Sequence, residues 1–157
     1  MLIASTQRSN LDWILDSGAL SHLANNINNI FHPSDYQGTD TVTVGDGRHL
    51  PIAHTGPDLL PTPTRKLLLH NLLHLPQLSY NLLSVSNLAK ENNIYILFDA
   101  SSFQINDRTT NSVILSSPCH DGIYSISPNS TRPQHVIALS ATIPDSFHWH
   151  HRLGHPH

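Results

Sequence analysis

The tripeptide Asp16-Ser17-Gly18 contains a carboxylate that could act as a general acid or base. It follows the mostly apolar run 11–15, which we predict to be a buried strand ending in a turn. A carboxylate at the end of such a strand lies on a rigid element, and the glycine lets another backbone approach closely. Asp and Gly also form ordinary turns for backbone reasons. The tripeptide therefore indicates either a catalytic carboxylate or a structural turn.

Catalysis by Asp16 needs a second carboxylate. Two carboxylates that share a proton can activate water, because like charges about 3 Å apart cannot both ionise cheaply. The sequence contains no second Asp-Ser-Gly or Asp-Thr-Gly, and Asp46-Gly47 and Asp121-Gly122 fall in predicted hairpin turns. A catalytic pair therefore requires a second copy of the chain related by a two-fold axis.

His150 and His155 are candidate zinc ligands, since imidazoles at this separation can fill two of four tetrahedral positions. Two ligands do not make a site, and Cys119 is the single cysteine. We expect no resident cofactor. The other histidines show no ligand spacing and are expected in ordinary surface or core positions; they include His22, His32, His49, His54, His70, His74 and His120.

Short segments with period-two alternation predict the elements that position these residues. Residues 41–44 and 49–54 flank Gly45-Asp46-Gly47 as a hairpin, and the apolar run 65–75 suits a strand buried on both faces. Four further strands are predicted near residues 94–98, 103–105, 112–115 and 122–126. The pattern predicts a mainly β fold, a small barrel or sandwich, with a disordered segment 1–10, one domain over 11–127 and a linker over 128–147.

One short helix is predicted over residues 82–91, because Leu82, Val85, Leu88 and Ala89 recur on one helical face. Asn92 and Asn93 can end it. Residues 54–64 are rich in proline, which removes donors from a strand ladder, so we expect a distorted sheet there.

Composition excludes several classes of function. The 157 residues carry a net charge of −3 with a pI near 6.5, which offers no basic surface for direct nucleic-acid binding. No run approaches the roughly 20 apolar residues of a membrane span, and the first residues lack a secretory pattern. One cysteine excludes an internal disulfide framework. We expect a cytoplasmic chain that does not associate with a membrane.

Four ordered motifs resemble copia-type retrotransposon Pol polyproteins. Residues 13–19, 42–47 and 75–85 are similar to the protease region of these polyproteins. Residues 149–156 are similar to the segment that opens the integrase zinc module, so 148–157 is expected to be its truncated start. The resemblance implies that a later Cys-x-x-Cys pair completes this module, so zinc is expected only if such a pair follows.

The resemblance implies a closed or partly open β-barrel of the retroviral aspartic protease type, acting on polyprotein or peptide substrates as a homodimer. Asp16 matches the catalytic aspartate, and Ser17 and Gly18 match the residues that brace the catalytic loop across the dimer. Residues 42–54 match the flap, and 82–84 match the apolar segment beneath the loop. Leu20 replaces a small polar residue and is expected to alter packing at the turn. The alternative hypothesis is a catalytically inactive barrel derived from such an element.

Overall fold

The computed structural model describes residues 11–128. The predicted segment 1–10, residues 129–147 of the predicted linker 128–147 and the predicted zinc-module start 148–157 lie outside the described residues. The strands are β1 (Trp13–Asp16), β2 (His22–Ala24), β3 (Ser34–Asp35), β4 (Thr41–Thr43), β5 (His49–Pro51), β6 (His54–Pro61), β7 (Lys66–His74), β8 (Asn81–Ser84), β9 (Ile94–Phe98), β10 (Ser102–Asp107), β11 (Val113–Pro118) and β12 (Ser125–Ile126). The described part also contains helix α1 (Val85–Asn92) and a single 3-10 turn (Ile27–Asn29).

The strands form a partly open barrel, which confirms the predicted mainly β class. A seven-stranded sheet has the order β12-β1-β8-β2-β7-β6-β3, a second sheet has the order β11-β10-β9, and β4 pairs with β5 as a separate hairpin. Most pairs are antiparallel, but β1 lies parallel to β8, and β2 lies parallel to β7. Helix α1, in the described part of the chain, is too short to cross a membrane.

One core fills the space between the two larger sheets. Side chains from β1, β2, β7 and β8 meet those of α1 and the three-stranded sheet there. The fully buried members are Ala24, Leu67, Leu69, Leu72, Leu83, Leu88, Ile94 and Ile105. A smaller apolar cluster lies beneath the β4–β5 hairpin and is centred on Leu23, Leu50 and Leu75. The hairpin is therefore held by packing, without strand pairing to the larger sheets.

The predicted start of the helix is wrong by three residues. Residues 81–84 form β8, and α1 begins only at Val85. Ser84 caps the helix in extended conformation, and its Oγ accepts a hydrogen bond from the Asn87 amide. Leu82 fits the helical period but pairs with Ile14 across the ladder, so strand pairing prevails over helical spacing. The C-terminal prediction is confirmed, since Asn93 ends α1 in the left-handed conformation, with φ of 52°.

The proline-rich segment forms a continuous strand with one irregularity. β6 pairs with β7 along its length, and the register shifts between Gly56 and Asp58, where Pro57 intervenes. The Pro57 carbonyl accepts from the Phe31 amide. The expected distortion is therefore a local bulge.

Two predicted strands differ in detail from the structure. β7 was expected to be buried on both faces, yet His70 and Asn71 are exposed, because the strand carries polar residues midway. Of the predicted strand 122–126, only the two-residue β12 pairs with β1, whereas Ile123 forms an isolated bridge with His120.

Candidate active site

Asp16 is the last residue of β1, and its carboxylate is oriented by the turn that follows. Its Oδ1 accepts a hydrogen bond of 2.8 Å from the Gly18 amide. A Cβ added to Gly18 would lie 3.3 Å from that same oxygen, so glycine leaves the carboxylate room. Asp16 is half-buried, whereas Ser17 and Gly18 are exposed. The turn presents one carboxylate at the surface, with an exposed backbone beside it.

The strand β8 supports this turn from one side. Asp16 is the register partner of Ser84, and Leu15 is the partner of Leu83, which is fully buried in the main core. β8 lies between β1 and β2 in the sheet and packs against the core. Its pairing with β1 therefore fixes the position of Asp16 relative to the core. The loop that carries the carboxylate is therefore anchored on a rigid strand pair.

Helix α1 holds the far side of the same loop. The Asn87 side-chain amide donates a 2.9 Å hydrogen bond to the Leu20 carbonyl, and Asn87 also donates its backbone amide to the Ser84 cap. The Leu20 side chain itself is 91% exposed. Within one chain, the Leu20 side chain therefore does not pack at the turn as expected, and only its backbone is engaged there.

A buried histidine lies under the loop. His22 is fully buried, and its Nδ1 accepts a 3.1 Å hydrogen bond from the Ser84 amide. Its Nε2 lies 3.4 Å from Oε2 of Glu91 on α1, and that oxygen also accepts from the His70 amide. Burial lowers the pKa of the His22 imidazole, and the Glu91 carboxylate opposes part of that effect. Because the Ser84 amide donates to Nδ1, that nitrogen carries no proton and acts as the acceptor.

An apolar cleft lies between the β4–β5 hairpin and the segment that leads into β8. Its volume is about 240 Å³, and its lining residues are Val44, Gly45, Asp46, Arg48, Leu50, Leu78, Ser79, Tyr80 and Leu82. Sites for drug-sized ligands span roughly 300–1,000 Å³, so this cleft is smaller than such a site. Leu82 is the register partner of Ile14, two residues before Asp16, which places the cleft wall and the carboxylate on one strand pair.

The hairpin tip is ordered by its own polar contacts. Gly47 adopts a φ of 85°, a conformation that side chains rarely tolerate. Arg48 donates to both carboxylate oxygens of Asp46, through its amide at 3.0 Å and its Nε at 2.7 Å. These contacts lower the pKa of the Asp46 carboxyl. Asp46 is thus a structural turn residue, as its position in the sequence predicts.

A histidine pair joins β6 to β7 at the end of β6 that follows the β4–β5 hairpin. Nδ1 of His54 lies 2.9 Å from Nδ1 of His74, its register partner on β7, and Nε2 of His54 lies 3.3 Å from Asp35. The neighbouring Ala53 amide donates to the His74 carbonyl. Burial, and then the nearby His54, lower the pKa of His74.

Comparison with known proteins identifies the family. Residues 13–93 match the family described as "Pol polyprotein, beta-barrel domain". The chain is 37% identical over 156 residues to the retrovirus-related Pol polyprotein from transposon RE1 of Arabidopsis thaliana, a match that covers 99% of this chain. It is 36% identical over 145 residues, 92% of the chain, to the polyprotein from transposon RE2 of the same plant. The chain belongs to the Pol polyprotein beta-barrel domain family.

Membership confirms the resemblance to copia-type Pol polyproteins that the motifs indicated. The chain spans 11% and 10% of the length of these two relatives. The match to the Pol beta-barrel family begins at the first residue of β1 and ends at Asn93, the C-cap of α1. It therefore contains the Asp16 loop, the hairpin, the cleft and His22.

The structure brings together Asp16, Ser17 and Gly18 in one turn, while His150 and His155 lie outside the described residues. Residues 11–128 contain no group of three metal-ligating side chains. The contacts of His22 were missed, because Ser84 and Glu91 follow it by 62 and 69 positions and no local spacing signals them. A histidine placed directly before the apolar Leu23 was the only available signal.

Proposed function

We propose that this chain is one subunit of a homodimeric aspartic endopeptidase that cuts the Pol polyprotein to which it belongs. The observation that carries the proposal is the placement of Asp16. Its carboxylate ends a strand anchored in the core, and the neighbouring strand supplies a wall of an apolar cleft. An extended peptide in that cleft would pass along the strand pair that ends in the carboxylate.

The second carboxylate comes from a second copy of the chain. Among residues 11–128, no other Asp or Glu is hydrogen-bonded to Asp16. The turn residues Ser17, Gly18 and Leu20 are exposed, which leaves them accessible to a partner. A two-fold axis near the turn would pair the two Asp16 side chains, so that one proton is shared between them.

The dyad would hydrolyse the peptide by general acid–base chemistry. The ionised carboxylate takes a proton from water, whose oxygen bonds to the peptide carbonyl carbon while the protonated carboxylate donates to the carbonyl oxygen. The carboxyl that took the proton from water then donates it to the nitrogen as the C–N bond of the tetrahedral species breaks, while the other carboxylate takes a proton from one of its hydroxyls. The products are a free acid and an amine, and the dyad again holds one proton. Because one carboxylate must be charged and one neutral, the rate should follow a bell-shaped pH profile with a maximum in mild acid.

The test is self-processing of a Pol precursor that contains this chain. Asp16→Asn should abolish cleavage at every pH, because the amide can neither accept nor share the proton. Asp121→Asn is the matched control: Asp121 is exposed in a turn at φ of 53°, a conformation that asparagine tolerates. It should process normally, with activity per chain rising as chain concentration rises. Undiminished cleavage by Asp16→Asn, or no cleavage by wild type at any acidic pH, contradicts the proposal; the second result supports the inactive barrel.

A further inference from the structure

His22 occupies an unusual position for a histidine. It is fully buried at the start of β2, and among the described residues its Nε2 has no hydrogen-bond partner. The Glu91 carboxylate faces that nitrogen at 3.4 Å, where the attraction is electrostatic and the bond is poorly formed. Burying a polar ring with one unsatisfied nitrogen costs stability that an apolar residue would not. The hydrogen bond that Nδ1 accepts from the Ser84 amide offsets part of this cost.

That contact closes the candidate catalytic loop. The Ser84 amide can only donate, so Nδ1 of His22 accepts, and the proton of the neutral ring is on Nε2, facing Glu91. Ser84 is also the register partner of Asp16. The loop 17–21 therefore begins after Asp16, beside Ser84, and ends at His22, whose side chain is hydrogen-bonded to the same Ser84.

We propose that His22 is a positioning residue for Asp16, acting through the backbone of Ser84. The inference rests on the proposed endopeptidase function. The hydrogen bond from Ser84 fixes where β2 begins relative to the end of β1, and so sets the span of the loop that carries the carboxylate. A reacting group displaced by about 1 Å can lose about 100-fold in rate. His22 touches neither substrate nor the reacting atoms.

The proposed role of His22 depends on a hydrogen-bond acceptor at the position of Nδ1. Asparagine places its side-chain oxygen close to that position and can accept from the Ser84 amide, whereas leucine fills the space and leaves the amide unpaired. The two variants therefore separate the hydrogen bond from the packing. His120→Leu is the control for removing an imidazole, because the His120 side chain is exposed and its pairing with Ile123 uses backbone atoms alone.

The experiment measures peptide cleavage by the dimer for wild type, His22→Leu, His22→Asn and His120→Leu, together with hydrogen exchange at the Ser84 amide. His22→Leu should lower kcat by about 100-fold with KM nearly unchanged, because the cleft residues are untouched. Its Ser84 amide should exchange faster than wild type. His22→Asn should regain most of kcat and of the protection, and His120→Leu should match wild type in both.

Two results overturn the inference while the proposed function stands: an active wild type with normal kcat in His22→Leu, or a His22→Asn variant no better than His22→Leu. If His22→Leu does not fold, the comparison of His22→Asn with wild type decides, since a kcat reduced by more than about tenfold with Ser84 protection retained contradicts the role. An inactive wild type removes the proposed function, and the positioning role is then rejected with it.

Discussion

Replacing Gly56 with alanine should destabilise the fold by a steric clash within the β6–β7 region. A Cβ at Gly56 would lie 2.5 Å from Cγ2 of Ile30 and 3.3 Å from the carbonyl oxygens of Phe31 and His32. Carbon atoms pack best at about 3.5–4.0 Å, so Ile30 would have to retreat by about 1 Å. Ile30 is buried, and its β-branched side chain has little rotamer freedom.

The backbone around Gly56 has no easy way to yield. The Phe31 amide donates a 2.8 Å hydrogen bond to the Pro57 carbonyl, which holds the Ile30 segment against β6. Overpacking of a well-filled core costs about 1–3 kcal/mol. We therefore expect Gly56→Ala to lower the free energy of unfolding by about 2 kcal/mol, and the urea midpoint by about 1 M at an m-value near 2 kcal/mol/M.

Gly45→Ala is the matched control, because an added Cβ there meets nothing within 4 Å. It removes the same freedom from the unfolded chain, which stabilises by about 0.4–1 kcal/mol. Urea unfolding followed by circular dichroism measures both variants against wild type. If Gly56→Ala is as stable as Gly45→Ala, the close packing of β6 against the Ile30 segment is refuted.

Two further predictions concern stability. Burial lowers the pKa of His74 below its ordinary value of 6.5, so the unfolded chain binds a proton more readily than the folded chain does. The free energy of unfolding should therefore be highest above pH 6.5 and should decrease as the pH falls below that value. Urea unfolding at about pH 7.5 and about pH 5.5, on either side of that value, should show this decrease in the free energy of unfolding. His74→Asn should make the free energy depend less steeply on pH, and an unchanged dependence contradicts the assignment to His74. Leu83→Ala, beneath the Asp16 loop, should cost about 2–5 kcal/mol, whereas Leu97→Ala at a half-exposed site should stay within about 0.5 kcal/mol. Equal losses for the two leucines would contradict the core placement of Leu83.

Local patterns in the sequence were sufficient to predict the elements whose residues are neighbours along the chain. β1 and the turn at Asp16 follow from an apolar run ending in Asp-Ser-Gly, and the β4–β5 hairpin follows from alternation around Gly47. Both depend on contacts over a few residues. The start of α1 was misplaced because Leu82 fits a helical face and a strand ladder equally well. Only the parallel pairing with β1, almost 70 residues away, decides between them.

The candidate site was predictable to a similar degree. Asp16 could be singled out because a motif carries it, but the support beneath it depends on long-range contacts. His22 meets Ser84 and Glu91 only after β2 and β8 have joined one sheet. His54 meets His74 only through the register of β6 with β7. The spacing of these residues along the sequence does not indicate either contact.

Mixing wild-type chains with Asp16→Asn chains tests the shared-carboxylate account most directly. At constant total chain concentration well above that needed for dimers, random pairing makes the fraction of dimers with two aspartates equal to the square of the wild-type fraction. An equal mixture should therefore retain about a quarter of wild-type cleavage activity. A mixture with Asp121→Asn chains should retain full activity. If the equal mixture with Asp16→Asn keeps about half of the activity, each chain works alone and the dimeric dyad is contradicted.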